Sequence, residues 1–129
     1  MSLKANLAVL CDNASLDTNS KISVNGIFEN IFSDSFPYVH PQLFVVVSVP
    51  ITESGQYNTT ISLKKDENKN EIASMKLIHT ISEPVADQGK ILIVGRFVNI
   101  TLSEEGSYSF YVVVNGEDIV RLPLKVLHS

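Results

Sequence analysis

The sequence has no tryptophan and a single cysteine, Cys11. One thiol cannot form an intrachain disulfide, so the hydrophobic core alone must offset the conformational entropy of folding. Metal-ligand spacing is missing too. The three histidines, His40, His79 and His128, are scattered, and no Cys or carboxylate cluster accompanies them, whereas zinc sites gather such side chains. Basic residues are few: ten Lys and Arg stand against fourteen Asp and Glu, a formal charge of −4. Nucleic acids and anionic membrane surfaces are bound largely through clustered cations, so neither partner is expected. The only compact basic pair, Lys64-Lys65, runs straight into Asp66-Glu67. No apolar run approaches the length of a transmembrane helix. Leu7 to Cys11 is too short for the apolar part of a secretory signal and is not followed by a small-residue cleavage site, so a cytoplasmic location is expected. A Gly-rich phosphate loop and a nucleophile elbow are likewise missing. No cofactor, metal or catalytic role is expected.

What remains is a β-sheet pattern over one domain, residues 1–129, with 44% hydrophobic and 19% charged residues. A chain of this size buries about two-thirds of its unfolded surface. Leu3, Ala5, Leu7, Val9 and Cys11 alternate with their neighbours, which predicts a strand with Cys11 on the core side. A turn is expected over Asp12 to Ser20. Lys21 to Ser33 reads as strand, with Asn25-Gly26 as a tight turn or a bulge. Asp34 to Pro41, punctuated by Pro37 and Pro41, reads as an irregular loop. Leu43 to Val49 is nearly all apolar, a central strand buried on both faces. Tyr57 to Leu63 alternates, Lys64 to Glu71 is a hairpin tip, and Glu71 to Thr80 pairs back, with a short helix as competitor. In Lys90 to Leu102 a bulge at Gly95-Arg96 is expected to move the inward set from Ile91 and Ile93 to Val98, Ile100 and Leu102. Asn115-Gly116 predicts a tight hairpin between Tyr108–Val114 and Val120–Val126, and Pro123 places the last strand on an edge. The pattern predicts an all-β, antiparallel β-sandwich of about eight strands.

Two short segments match each other, Glu53-Ser-Gly-Gln-Tyr57 and Glu104-Glu-Gly-Ser-Tyr108, so two strands are expected to enter the sandwich alike. The stretch Leu102 to Phe110 resembles the corner before strand F of immunoglobulin-like domains, where a Tyr hydroxyl caps nearby backbone. More broadly, several motifs occur in the order Cys11-Asp12, Lys21 with Gly26-Ile27-Phe28, Phe36-Pro37, Gly106-x-Tyr108-x-Phe110 and Leu122-Pro123-Leu124. Together they resemble a family of small uncharacterised bacterial β-sandwich proteins. That resemblance implies an immunoglobulin-like sandwich of unknown function and brings no site residues.

Candidate chemistry is sparse. Cys11 is expected to be an inert buried thiol rather than a nucleophile. Acidic residues lie in predicted loops: Asp12 and Asp17, Asp66 and Glu67, Glu83 and Asp87, Glu104 and Glu105. Asp12, Asp66 and Glu104 converge on a cation only if their loops share one end of the sandwich. Phe36, Tyr38 and His40, in the Pro-stiffened segment Phe36 to Pro41, are the candidate partner-binding residues. The alternative is that Phe36 and Val39 plug the open end while Tyr38 and His40 shield it. The function expected is a non-catalytic protein-interaction or structural module, with an unknown protein partner or self-association as a homodimer through the Val120 to Val126 edge. A carbohydrate- or peptide-binding domain using the Phe36 to Pro41 loop is the alternative.

Overall fold

Four of the seven residues from Leu43 to Val49 are valine. A β-branched side chain is stiff at χ1 and packs well on a pleated surface, so this segment forms the centre of a long strand. The structure is a computed structural model that describes residues 3–19, 21–82 and 89–129. Among them there is no helix, and nine strands follow in order. They are β1 (Leu7–Leu16), β2 (Ile22–Ile27), β3 (Asn30–Ser33), β4 (Tyr38–Pro50), β5 (Gly55–Lys65), β6 (Glu71–Ile81), β7 (Lys90–Leu102), β8 (Gly106–Val114) and β9 (Glu117–His128). They build a front sheet, in the order β2-β1-β4-β7, and a back sheet, in the order β3-β9-β8-β5-β6. The two pack as a β-sandwich. Every pair is antiparallel except β3 with β9, which is parallel.

The core lies between the sheets. Leu10, Leu43, Val45, Val47, Val49, Ile91, Ile93 and Phe97 come from the front, and Ile61, Leu63, Tyr108, Phe110, Val112, Leu124 and Val126 from the back. Phe97 meets Phe110 edge-on at 5.3 Å between centroids, a favoured aromatic geometry. Gly95 faces the same interior, and a Cβ there would stand 2.7 Å from Ile61 Cδ1 and 2.9 Å from Met75 Sδ. The glycine therefore lets the back sheet approach closely.

The two matched Glu-x-Gly-x-Tyr segments form the same structure. Tyr57 donates its hydroxyl to the Glu53 carbonyl at 2.6 Å, and Tyr108 donates to the Glu104 carbonyl at 2.7 Å. Between each pair a glycine takes a positive φ, 144° at Gly55 and 151° at Gly106, backbone that side chains disfavour. The corner expected before Tyr108 is thus present, and β5 enters the back sheet through a second one. Burial pushes the Tyr108 phenol up, which keeps it a donor.

Several expectations need correction. β1 continues through Asp12 to Leu16, and the turn is confined to the residues after it, where Asp17 Oδ1 accepts from the Asn19 and Lys21 amides. Cys11 faces away from the core. Leu10, one residue before it, belongs to the core cluster, and neighbouring side chains of a strand point to opposite faces. Gly26 is neither a turn nor a reversal of alternation: β1–β2 pairing keeps its register across it, from Asn13 with Asn25 to Cys11 with Ile27. Tyr38 to Pro41 is strand rather than loop. The change of inward phase in β7 falls at Asn99 (φ 51°), not at Gly95-Arg96, so Val98 is 49% exposed and Ile100 and Leu102 are buried. β9 is an edge only before Lys125, because β3 covers Lys125 to His128; Pro123 lies in the open part. With the short strand β3 the sandwich has nine strands, in keeping with the about eight expected.

Tyr57→Phe and Tyr108→Phe each remove one hydrogen bond to a carbonyl, worth about 1 kcal/mol. Each variant is expected to melt about 4 °C below the parent. The two corners lie at opposite ends of β5, so the double variant is expected to show the sum. Unchanged melting curves would show that the hydroxyls do not hold the corners.

Candidate functional site

The structure brings Phe36, Tyr38 and His40 together at one end of the sandwich. The Phe36-Pro37 peptide is cis. Phe36 and Tyr38 are half-buried and pack on the core. The Tyr38 hydroxyl lies 3.2 Å from His40 Nδ1, and the His40 ring sits 6.1 Å from that of Phe28. Polar atoms that a ligand would use are thus turned on each other, and His40 Nε2 is buried without a partner. Strand alternation turns Val39 outward, where it is 51% exposed. Phe36 is therefore part of the plug and Val39 is not.

The acidic residues divide. Asp66 and Glu104 share one end of the sandwich, where they line a 370 Å³ hollow with Lys65, Glu67 and Glu105. Asp12 does not line it. Lys65 pairs with Glu104, and Asp66 accepts from Ser109 Oγ at 2.8 Å and from Arg121 at 3.3 Å. Each of those two carboxylates is already engaged. Among the described residues no group of three His, Cys, Asp or Glu is placed to hold a metal ion. Glu83 and Asp87 lie outside the described residues. Cys11 is fully buried, and burial pushes its thiol up, with the Asn13 backbone acting the other way and Asp12 adding a smaller upward push. A nucleophilic thiol needs the opposite shift.

The two outer faces of the sandwich are chemically unlike. On the back sheet, cross-strand neighbours point Thr60, Ser62, Lys64, Ser74, Lys76, Tyr111, Arg121 and Lys125 outward. Lys64 and Lys69 place their ammonium groups 5.5 and 5.6 Å from the Tyr111 ring centre. This surface is mostly polar, with apolar residues at Ile78, Val113 and the Phe32–Leu127 pair near its β3 edge. The front sheet differs. Its outward rows are Leu7-Ser48-Leu92, Val9-Val46-Val94 and Ile27-Cys11-Phe44-Arg96. Val46 and Cys11 are fully buried, while Leu7 is 38% and Ile27 60% exposed. With strands about 4.8 Å apart and outward residues about 6.8 Å apart along them, these ten positions span about 330 Å². Patches of this size on monomers are often functional. The outward positions of β1, β2, β4 and β7 include no Asp or Glu, only the cations Lys90 and Arg96.

The sequence reading missed this face because it placed Leu7, Val9 and Cys11 inward. The burial on both faces expected of Leu43 to Val49 pointed to it, and Ile91 to Val94 is apolar at both parities too, whereas a solvated antiparallel sheet alternates.

Burial pushes the His40 imidazole down, with a Gln42 backbone hydrogen bond and the Asp12 carboxylate acting the other way. Below the ordinary value of 6.5 the unfolded chain then binds more protons at this residue than the folded one. The contribution is complete above that pH and is lost as pH falls through the folded-state value. Thermal stability measured from about pH 7 to about pH 5 is expected to fall more steeply in the parent than in His40→Asn. Parallel profiles would show that His40 is not titrating against burial.

Among solved structures, the fold is similar to part of a β-glucosidase from Listeria innocua, determined in complex with isofagomine. The likeness has a TM-score of 0.51 and 11% identity, and it covers 98% of this chain but 16% of that one. At that identity it is a likeness of fold alone. A search of curated proteins finds no match. A family model matches residues 6–127, nearly the whole sandwich, and on that match the chain belongs to DUF6941, a family of unknown function.

Proposed function

We propose that this protein is a non-catalytic interaction module that docks a protein partner on the outer face of its front sheet. The observation that carries the reading is the contrast between the two faces: one presents aliphatic rows and the other Thr, Ser, Lys and Arg. Burying apolar area is the main driving force of protein association. A standard stable interface takes about 800 Å² per partner, so the patch alone suits a reversible complex or a partner that reaches over the rim. The free, buried thiol of Cys11 fits a reducing compartment. A cytoplasmic and, through the resemblance noted in the sequence, bacterial setting belongs to the same reading. Self-association through β9 is less favoured, because β3 covers part of that edge and Pro123 lacks a donor in the rest. Ligand binding by Phe36, Tyr38 and His40 is less favoured too, since Phe36 and Tyr38 pack inward and Tyr38 pairs with His40.

Val94 is half-buried in the central row and Ile27 is exposed at its margin. Val94→Glu and Ile27→Glu are each expected to lose, by about tenfold or more, the affinity for any partner the parent captures from its own organism. Lys76→Glu on the back sheet is expected to retain it. Quantitative pull-down with melting curves for each variant is the check. Equal capture by all of them would overturn the docking face.

A further inference from the structure

Arg96 stands at the end of the row Ile27-Cys11-Phe44-Arg96, beside the ring-bearing Phe44 and in line with a fully buried Cys11. Its Nε donates to Gln42 Oε1 at 2.8 Å, one step along β4 on the same face. That bond uses the one N–H on the stem side of the guanidinium and fixes the plane of the group. The two terminal nitrogens have no acceptor among the described residues. Among the described residues the ion pairs are Lys65 with Glu104 and Arg121 with Asp66, so no carboxylate lies within 4.0 Å of Arg96.

This arrangement is costly to cover with a purely apolar surface. A guanidinium taken out of water without an anion forfeits its hydration, and buried charges are accordingly paired. A second copy of the chain, meeting this one face to face about a two-fold axis, would bring Arg96 and Lys90 against a surface whose outward strand positions hold no carboxylate. A planar fork with its inner N–H already tethered is suited to bidentate recognition of a carboxylate.

We infer that Arg96, oriented by Gln42, is the charged anchor of this face, and that its partner is a protein segment presenting an Asp or Glu carboxylate flanked by apolar side chains. The inference rests on the docking face proposed above and names the chemistry of its occupant. Phe44, Val9 and Val94, all half-buried, take the apolar side chains. Lys90, at the far end of β7, adds attraction of the same sign.

The test is selection of binders from a display library of random peptides against the parent, Arg96→Gln, Arg96→Glu and Val94→Glu, each first shown to melt cooperatively. Parent-selected peptides are expected to combine apolar residues with Asp or Glu. Changing that acid to its amide is expected to weaken binding about tenfold or more. Arg96→Glu is expected to reverse the selected charge to Lys or Arg, and Arg96→Gln to remove the preference. Binders that are lost on Val94→Glu but are indifferent to charge, or a charge preference unmoved by Arg96→Glu, overturn the anchor and leave the docking face standing. A selection in which no binder is sensitive to Val94→Glu overturns both. Dimerisation of the parent through this face, seen by light scattering and lost on Val94→Glu, overturns the acidic partner.

Discussion

The pairing of β4 with β7 is the constraint on which the rest of the molecule depends. It runs from Tyr38 opposite Leu102 to Pro50 opposite Lys90 without losing register. This one ladder decides which side chains of both strands face the core. Odd residues from Leu43 to Val49 and from Ile91 to Phe97 point inward together, and even ones point out together. A slip of one residue would exchange the two sets. Both sets are mostly apolar here, with Ser48 and Arg96 as exceptions on the outer side, so packing on one side alone specifies the register only weakly. The phase change at Asn99, the close approach at Gly95 and the Phe97–Phe110 contact supply what alternation does not.

The two tyrosine corners fix the other sheet to that frame. Each ties the start of a back-sheet strand to the loop before it by a single hydroxyl–carbonyl bond, at opposite ends of β5. One corner also draws Glu104 and Glu105 beside Asp66 and Glu67. This gathering of acids is a consequence of how the strand enters, and it is spent on Lys65 and on the Ser109–Arg121 network. The acidic hollow is thus accounted for structurally.

The all-β class, the hairpins at Asp66 to Asn70 and Asn115-Gly116, and the corner before Tyr108 were legible in the sequence because local chemistry determines them: turn residues, alternation and a Gly ahead of a Tyr. The orientation of β1 was not. Leu7, Val9 and Cys11 form as good an apolar set as Ala8 and Leu10, and only pairing with β4 picks the smaller set for the core. The start of β4 was misread for a similar reason. Pro37 and Pro41 signal a break, yet Pro41 falls opposite Asn99, the residue with φ of 51°, where both strands bend together and tolerate it. The parallel strand β3 is too short for periodicity to find. As for Phe36, Tyr38 and His40, their proximity follows from sequence adjacency, but the inward packing of Phe36 and Tyr38 depends on strands distant in the chain.

Strand formation does not by itself require the outer face of the front sheet to be apolar. The back sheet meets the same backbone demand with Thr60, Ser62 and Lys64 pointing out, and threonine has the β-branched shape that suits a strand as valine does. Exposed aliphatic rows on a sheet are also a hazard for association in solution. A sequence shaped only by stability and solubility would therefore place residues like those of the back sheet at the exposed Leu7 and Ile27. It would have no use for an arginine whose inner N–H is held by Gln42 while its terminal nitrogens stay open among apolar side chains. Under the proposed docking, the aliphatic rows would contribute area and the arginine would restrict which partners cover them.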